Sequence, residues 1–453
     1  MIVMKFGGTS VGVPENFERA ARLVAERLPR DPVVVVSALA GVTNQLVDFC
    51  REPARRGALA IEIAERHARF VRATGLDEAD LELPLSAWDE EAALHLDSGE
   101  PLHGAARDRA LSWGERLAAA LFAAKLRALG VPARAVDAGE AGLVTDERFG
   151  AAHPLPEAAG RLRASLARRP PVPVVTGFIG RTLDGRATTL GRGGSDFSAA
   201  IVGAALAAGE IQIWTDTSGL LSADPRIVPE ARPVPQLSFA EASELATFGA
   251  KVLHPKTLLP AMERGIPVRV VNTARPADPG SLVTAEAPPD ASAWRVKSIA
   301  CKKGISAVTI ASTRMLLAHG FLARVFEVFG RHHIVVDLVT TSEVTISVTL
   351  DDDAMLERAI ADLEGIGRVE VRRNLAVVAV VGEGAPQRVG LAGHVFTLLG
   401  GVGIGIEMIS QGASRVNLSF VVREEDADRA VRLLHRGLGL DMEVVEAGEE
   451  RRT

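Results

Sequence analysis

Met1-Ile2-Val3-Met4-Lys5-Phe6-Gly7-Gly8-Thr9-Ser10 opens the chain, and Pro14 follows shortly after. The apolar run 2–6 reads as a buried strand, and two consecutive glycines let the backbone turn tightly at its end. Pro14 suits the first turn of a helix, which residues 15–28 continue with Phe17, Ala20, Ala21, Val24 and Leu28 on one face. Strand, glycine turn and helix in this order form the repeating unit of a parallel α/β sheet. The same rhythm recurs outward to about residue 285. Further strands are predicted at 33–37, 172–176, 211–215 and 267–271, with helices at 107–129 and 196–208. In such sheets ligands sit beyond the carboxyl ends of the strands, where loops leave N–H groups free.

Residues 274–297 are rich in Pro, Ala and small polar residues and are expected to form a linker. Beyond it the pattern changes to strand 306–311, helix 319–331, strands 334–341 and 344–350, helix 352–363 and strand 368–372, a βαββαβ order. A second copy runs through strand 375–381, helix 386–399, strands 404–410 and 416–421, helix 424–436 and a final strand 442–445. Phe326 aligns with Phe396, Ile334 with Ile404 and Asp337 with Glu407, each pair 70 residues apart. The tail is thus an internal duplication, and two packed copies can create a pocket for an effector or simply stabilise one another.

The 453 residues predict two to four domains. With 47% hydrophobic and 24% charged residues, a globular chain is expected rather than a disordered or fibrous one. The net charge of −6 offers no basic face for nucleic acid. Cys50 and Cys301, the two cysteines, form no paired metal or redox motif and suit a reducing compartment. No apolar run reaches the roughly 18 residues needed to span a bilayer, and the first residues read as a strand, so a soluble, cytoplasmic protein is expected with no membrane partner.

Two segments carry candidate chemistry. At Lys5-Phe6-Gly7-Gly8 the glycines allow a polyanion close to the backbone and Lys5 adds a point charge, although a tight turn alone also explains the pair. The Walker spacing is absent. In Thr188-Thr189-Leu190-Gly191-Arg192-Gly193-Gly194-Ser195-Asp196, Ser195 or Asp196 is placed to cap the next helix and Arg192 offers a planar fork for a carboxylate or phosphate. A capped loop with a solvated Arg is the plainer alternative. Trp214–Arg226 is polar where a ligand-facing loop belongs, or is a long turn. Phe248–Pro255 places Lys251 in a glycine-containing break, whereas His254 lacks a nucleophile or acid beside it and reads as a core histidine.

Taken in order, Lys5–Val11, Ser112-Trp113-Gly114-Glu115, Leu190–Asp196, Trp214–Arg226 and Phe248–Pro255 resemble the successive signatures of the aspartate kinases, within the amino-acid-kinase superfamily. The duplicated tail resembles their paired ACT domains. Gly320–Ala323 and Val336–Glu343 look most like the lysine-inhibited class. The resemblance implies a three-layer αβα catalytic domain at 1–285 with a mainly parallel sheet, then α+β ACT domains at 298–373 and 374–447. It also implies transfer of the ATP γ-phosphoryl group to the side-chain carboxylate of L-aspartate, the first step of lysine, threonine and methionine biosynthesis.

Carried over by motif, Lys5 and the Gly7 and Gly8 amides would stabilise the transferring phosphoryl and Asp196 would orient Lys5. Glu115 would bind the substrate ammonium and Arg192 its α-carboxylate, with Thr43 and Ser195 adding hydrogen bonds and Ser37 near the transferred group. Thr215, Asp216, Leu221, Arg226 and Lys251 match the ATP segment, together with Lys5 and Gly8. Leu221 stands where the lysine-inhibited class often has Tyr, a residue type absent from this chain. Mg²⁺ would arrive with ATP, so no protein ligand for a metal is named. Met315, Phe321, Leu322, Val336, Asp337, Ser342 and Glu343 would line a pocket for L-lysine, and ACT pairing implies at least a homodimer. Three alternatives stay open: a glutamate-type kinase of the same fold, a non-catalytic amino-acid sensor, and L-threonine as effector in place of or beside L-lysine.

Overall fold

The structure, a computed structural model, describes residues 1–167, 170–249, 253, 255–290, 292–315, 319–351, 355–411 and 415–441. They fall into two compact units.

The first unit is built on an eight-stranded sheet. Its strands are β1 (Ile2–Phe6), β2 (Pro32–Val36), β3 (Ala133–Val136), β4 (Val172–Thr176), β7 (Glu210–Thr215), β8 (Gln236–Ser238), β9 (Val268–Asn272) and β10 (Ser281–Thr284), while β5 (Ile179–Arg181) and β6 (Ala187–Thr189) form a separate hairpin. The spatial order is β3-β4-β2-β1-β7-β9-β10-β8, parallel from β3 to β9, with β10 antiparallel to β9. The residues of β1, β2 and β4 are buried throughout, as the unbroken apolar runs in the sequence require. In register Phe6 faces both Val36 and Trp214, and Val36 faces Thr176. The chain therefore leaves four neighbouring strands side by side at Gly7, Ser37, Gly177 and Asp216, and the strand order reverses about β1, where ligands of open sheets bind.

Helices cover the sheet. Phe17 and Phe122, from helices Pro14–Glu26 and Trp113–Ala128, meet edge to face at 5.4 Å, and Phe6 stacks on Phe122. The periodic segment 107–129, expected as one helix, is two, Gly104–Leu111 and Trp113–Ala128. The join lies at Ser112, whose hydroxyl bonds back to the Arg109 carbonyl, a local bond that competes with helical pairing. Helices Arg56–Thr74 and Ala79–Leu96 were not foreseen. Arg56 is fully buried there and donates to the carbonyls of Phe49, His95, Ser98 and Glu100 at 2.6–3.1 Å.

The expected linker 274–297 also needs correction. It contains β10, whose Ser281 and Val283 are buried while it pairs with β9 and β8. A short strand between two partners needs little apolar sequence of its own.

The second unit contains residues from 288 onward together with two segments embedded earlier in the chain, 221–234 and 240–249. Its six-stranded antiparallel sheet joins β11 (Ser298–Ala311), β12 (Val339–Thr341), β13 (Thr345–Leu350), β14 (Arg368–Val381), β15 (Met408–Ser410) and β16 (Asn417–Arg423) in the order β12-β13-β11-β14-β16-β15. Strands expected at 368–372 and 375–381 are one continuous strand, and the one expected at 306–311 begins at Ser298. Both long strands kink near their middles, at Gly304 with φ +74° and Asn374 with φ +57°, 70 residues apart like the rest of the repeat. The strands expected at 334–341 and 404–410 shrink to their last three residues, although the Asp337 and Glu407 amides still bond to Thr349 and Val421 ahead of the ladder. The strand expected at 442–445 lies outside the described residues.

Each copy has its own core, one around Phe321, Val325 and Phe329, the other around Val395, Phe420 and Val431. The embedded segment 221–234 joins the second core through Ala223 and Val228. Glu241, wholly buried, accepts from Lys297 Nζ at 2.9 Å and the Glu383 amide at 2.7 Å. Ser298 Oγ donates to the Leu221 carbonyl at 2.8 Å and the Ile299 amide to Ser222 O at the same distance.

Candidate active site

A cleft of about 750 Å³ opens at the carboxyl ends of β1, β2 and β4. It receives Lys5, Gly8, Ser37, Thr43, Glu115, Arg192, Ser195 and Asp196, so residues far apart in sequence meet in one place.

Lys5 is the penultimate residue of β1 and is buried, with Nζ 2.6 Å from Asp196 Oδ1. Asp196 stands in the first turn of helix Gly194–Leu206, where the helix dipole also favours a carboxylate. Neither Ser195 nor Asp196 caps that helix. The cap position is Gly193, in a left-handed conformation with φ +70° and no side-chain bond, which frees Asp196 for Lys5. The Gly7 amide donates to the Trp214 carbonyl at 3.1 Å and ties β1 to β7, while Gly8 begins a short helical turn. A Cβ on Gly177 would lie 2.6 Å from that of Ser195, so only glycine lets this helix start approach β4 so closely.

Glu115, in the first turn of helix Trp113–Ala128, is 4% exposed. Its Oε1 accepts the Ala38 amide at 3.1 Å, and Oε2 has no partner among the described residues. Burial raises its carboxyl to about 8 against the opposing pull of that amide, its own amide and Lys5. The helix can lie this close to the loop after β2 because residue 114 is glycine; a Cβ there would be 2.7 Å from that of Ala38. Arg192 and Thr43 are exposed at the cleft, and among the described residues Arg192 makes no ion pair.

Beneath the cleft lies a carboxylate that sequence reasoning passed over. Asp108 is fully buried on helix Gly104–Leu111, and its Oδ2 accepts the amides of both Gly150 and Thr189. Its seven-residue spacing from Glu115 within an apolar stretch was the available signal.

Thr215 ends β7 and Asp216 follows it, their hydroxyl and carboxylate 3.2 Å apart, with the Asp216 carbonyl accepting from Asn272. Leu221 and Arg226 belong to the second unit, where Arg226 pairs with Asp224. Lys251 and His254 lie outside the described residues. Among the described residues, no group of three or more His, Cys, Asp and Glu side chains is placed to hold a metal ion, and no helix is long and apolar enough to cross a membrane.

Of the effector candidates, Phe321 is buried, Leu322 is exposed, and Met315 and Val336 pack against the first regulatory core. Ser342 and Glu343 are exposed, and Ser342 accepts the Thr345 amide. Asp337 is not free, since Lys302 Nζ lies 3.0 Å from its Oδ2 and also 2.7 Å from Asp351. Burial raises the Asp337 carboxyl while Lys302 opposes the shift.

Comparison with known proteins places these features in a family. The amino acid kinase family matches residues 1–272, and an ACT domain matches residues 378–438. Aspartokinase 1, chloroplastic, of Arabidopsis thaliana is 39% identical over 96% of this chain and 79% of its own length. Lysine-sensitive aspartokinase 3 of Escherichia coli is 38% identical, covering 97% of this chain and 99% of its own. The crystal structure of E. coli aspartokinase III in complex with aspartate and ADP superposes with a TM-score of 0.83 at 36% identity, over 97% of this chain and 99% of that one. A glycine-lined cleft at the sheet's carboxyl edge, a duplicated antiparallel tail and likeness along nearly the whole length agree: the chain belongs to the amino acid kinase family and, within it, to the ATP-dependent aspartokinases.

Proposed function

We propose that the cleft binds L-aspartate and the terminal phosphate of ATP and transfers the γ-phosphoryl group to the β-carboxylate. A carboxylate oxygen attacks phosphorus, the bond to the bridging oxygen breaks, and ADP leaves with 4-phospho-L-aspartate as product. The attacking carboxylate is already ionised near neutral pH, so no general base is needed. The observation that carries the reading is Lys5, held 2.6 Å from Asp196 in the cleft that also receives Glu115 and Arg192.

Phosphoryl transfer depends mainly on positioning and on fixed charge where negative charge spreads. Lys5, oriented by Asp196, supplies that charge beside the Gly8 amide, and Gly7 sets the turn. Glu115 takes the substrate ammonium. Its unpartnered Oε2 is an acceptor waiting for a donor, and an ammonium that satisfies it also offsets its burial. Arg192 takes the α-carboxylate through its fork, Thr43 and Ser195 add hydrogen bonds, and Ser37 lies by the transferred group. The family's nucleotide segment assigns Thr215, Asp216, Leu221, Arg226 and Lys251 to ATP. Magnesium enters on the nucleotide and, when bound, neutralises phosphate charge.

The tail is a feedback sensor for L-lysine on the first copy, at Met315, Phe321, Leu322, Val336, Asp337, Ser342 and Glu343. The named lysine sensitivity of the E. coli relative supports this effector. Catalytic domain 1–285 and ACT domains 298–373 and 374–447 complete the reading, as does at least a homodimer paired through the ACT domains. The free thiols of Cys50 and Cys301 suit a cytoplasmic setting.

A coupled assay of ADP release with Mg-ATP and L-aspartate, L-glutamate or N-acetylglutamate tests the function. Turnover with L-aspartate alone is expected. Preference for a glutamate would assign a glutamate-type kinase, and no turnover with any would leave an amino-acid sensor.

A further inference from the structure

Among the described residues the Asp108 carboxylate forms no ion pair, yet it is fully buried and uses one oxygen, Oδ2, to accept two amides from different loops. Gly150 N lies 2.8 Å away and Thr189 N 2.7 Å. Those loops are also bound to each other, the Ala152 amide donating to the Thr189 carbonyl at 2.9 Å. Gly191 packs directly on them, since a Cβ there would come within 3.1 Å of the Gly150 carbonyl. Arg192 follows immediately. Its guanidinium is exposed and unpaired among the described residues, so nothing at its own tip fixes its direction; only the backbone beneath it does. Asp108 is the side chain that ties that backbone down, beside the backbone bonds of Leu190 to Phe178 and of Ala152 to Thr189.

We propose that Asp108 is a positioning residue for substrate recognition: by gathering the Gly150 and Thr189 amides on one oxygen it fixes the loop that aims Arg192 at the α-carboxylate of the amino-acid substrate. The proposal rests on the reading of Arg192 given above. Asp108 touches neither substrate nor reacting atoms. It acts on ground-state binding, because a clamp for a carboxylate that does not change during the reaction contributes equally to ground state and transition state.

The test compares Asp108→Ala, Asp108→Asn and Arg192→Lys in steady-state kinetics of the full chain. Alanine removes both acceptors. Asparagine keeps one carbonyl oxygen of the same reach, and one oxygen is all the geometry uses. Asp108→Ala is expected to raise KM for aspartate about tenfold or more, with KM for ATP within about twofold and kcat at saturating aspartate largely kept, the pattern of lost uniform binding. Asp108→Asn is expected to restore most of the aspartate affinity. Should the alanine variant not fold, Asp108→Glu replaces it, displacing the acceptor by one methylene with the same selective effect expected. Asparagine and alanine variants equally impaired, or apparent kcat falling in step with the folded fraction while KM for aspartate stays unchanged, would reduce Asp108 to a stability role and overturn the proposal. If Arg192→Lys raises KM for aspartate while the Asp108 variants do not, the proposal fails and the Arg192 assignment stands. If Arg192→Lys leaves aspartate untouched, that assignment itself has failed.

Discussion

Replacing Glu115 by glutamine should stabilise the ligand-free protein while weakening its substrate, and the size of the first effect follows from burial. Burial pushes this carboxyl up to about 8 against an ordinary 4.5. In the unfolded chain the proton leaves near the ordinary value, whereas the folded protein keeps it until about pH 8. Between these values the folded state binds more protons, so stability falls as pH rises. At ~1.36 kcal/mol for each pH unit, the full gap amounts to roughly 5 kcal/mol above pH 8. Glutamine keeps the acceptor for the Ala38 amide and has no proton to lose. The assay is thermal unfolding of both proteins, without ligands, from pH 5 to pH 9. The variant's advantage should be near zero at pH 5, grow up to pH 8 and then level off. At ~2 °C per kcal/mol for a domain of this size, and allowing half the effect to relax away, the gap should reach at least about 5 °C. Aspartate should show the converse. A substrate ammonium needs the ionised carboxylate, so KM for aspartate should fall with rising pH toward 8 in the wild type and stay high and flat in Glu115→Gln. A Tm difference independent of pH would refute the claim that burial holds this carboxyl protonated.

Three further outcomes are expected. Lys5→Ala should lower kcat at least about 10²-fold, the cost of removing one preorganised group that faces developing charge; near-normal turnover in a folded variant would remove Lys5 from the mechanism. Lys302→Met frees Asp337 from its internal ammonium and should lower the L-lysine concentration that half-inhibits the enzyme, while Asp337→Ala should abolish inhibition, both read from activity titrations. Arg56→Met strips the donor from several buried carbonyls and should cost at least about 3 kcal/mol in denaturant unfolding, with KM values unchanged in whatever protein folds.

The parts of this architecture written in local sequence were the legible ones. Apolar runs ending in glycine located β1 and β4 to within a residue or two, and the 70-residue repeat exposed the tail. Motif order brought Lys5, Glu115, Arg192 and Asp196 to one cleft. Features decided by partners were not legible. β10 has too few apolar residues to announce itself and exists because β9 and β8 flank it. The cap of helix Gly194–Leu206 went to Gly193 rather than Ser195 because Asp196 was needed by Lys5, from the other end of the domain. Asp337 looked like a vacant anion, but Lys302 reaches it from another strand. Asp108 escaped notice because its partners are backbone amides, which carry no residue signature.

The long strand β11 carries contacts at both ends of one unbroken segment. At one point along it Lys302 grips Asp337, where the effector's charge is expected to arrive. At its start Ser298 and Ile299 are bonded to Leu221 and Ser222, in the segment proposed for the nucleotide. Between them the pairing with β14 runs unbroken from Ser298 to Lys303, ahead of the kink at Gly304. Four residues of extended chain span about 13 Å. A pleated strand bonded along this stretch neither stretches nor buckles cheaply, so any slide of Lys302 along the strand axis would be felt at Leu221 with little attenuation. One covalent segment links the two points, with no loop in between.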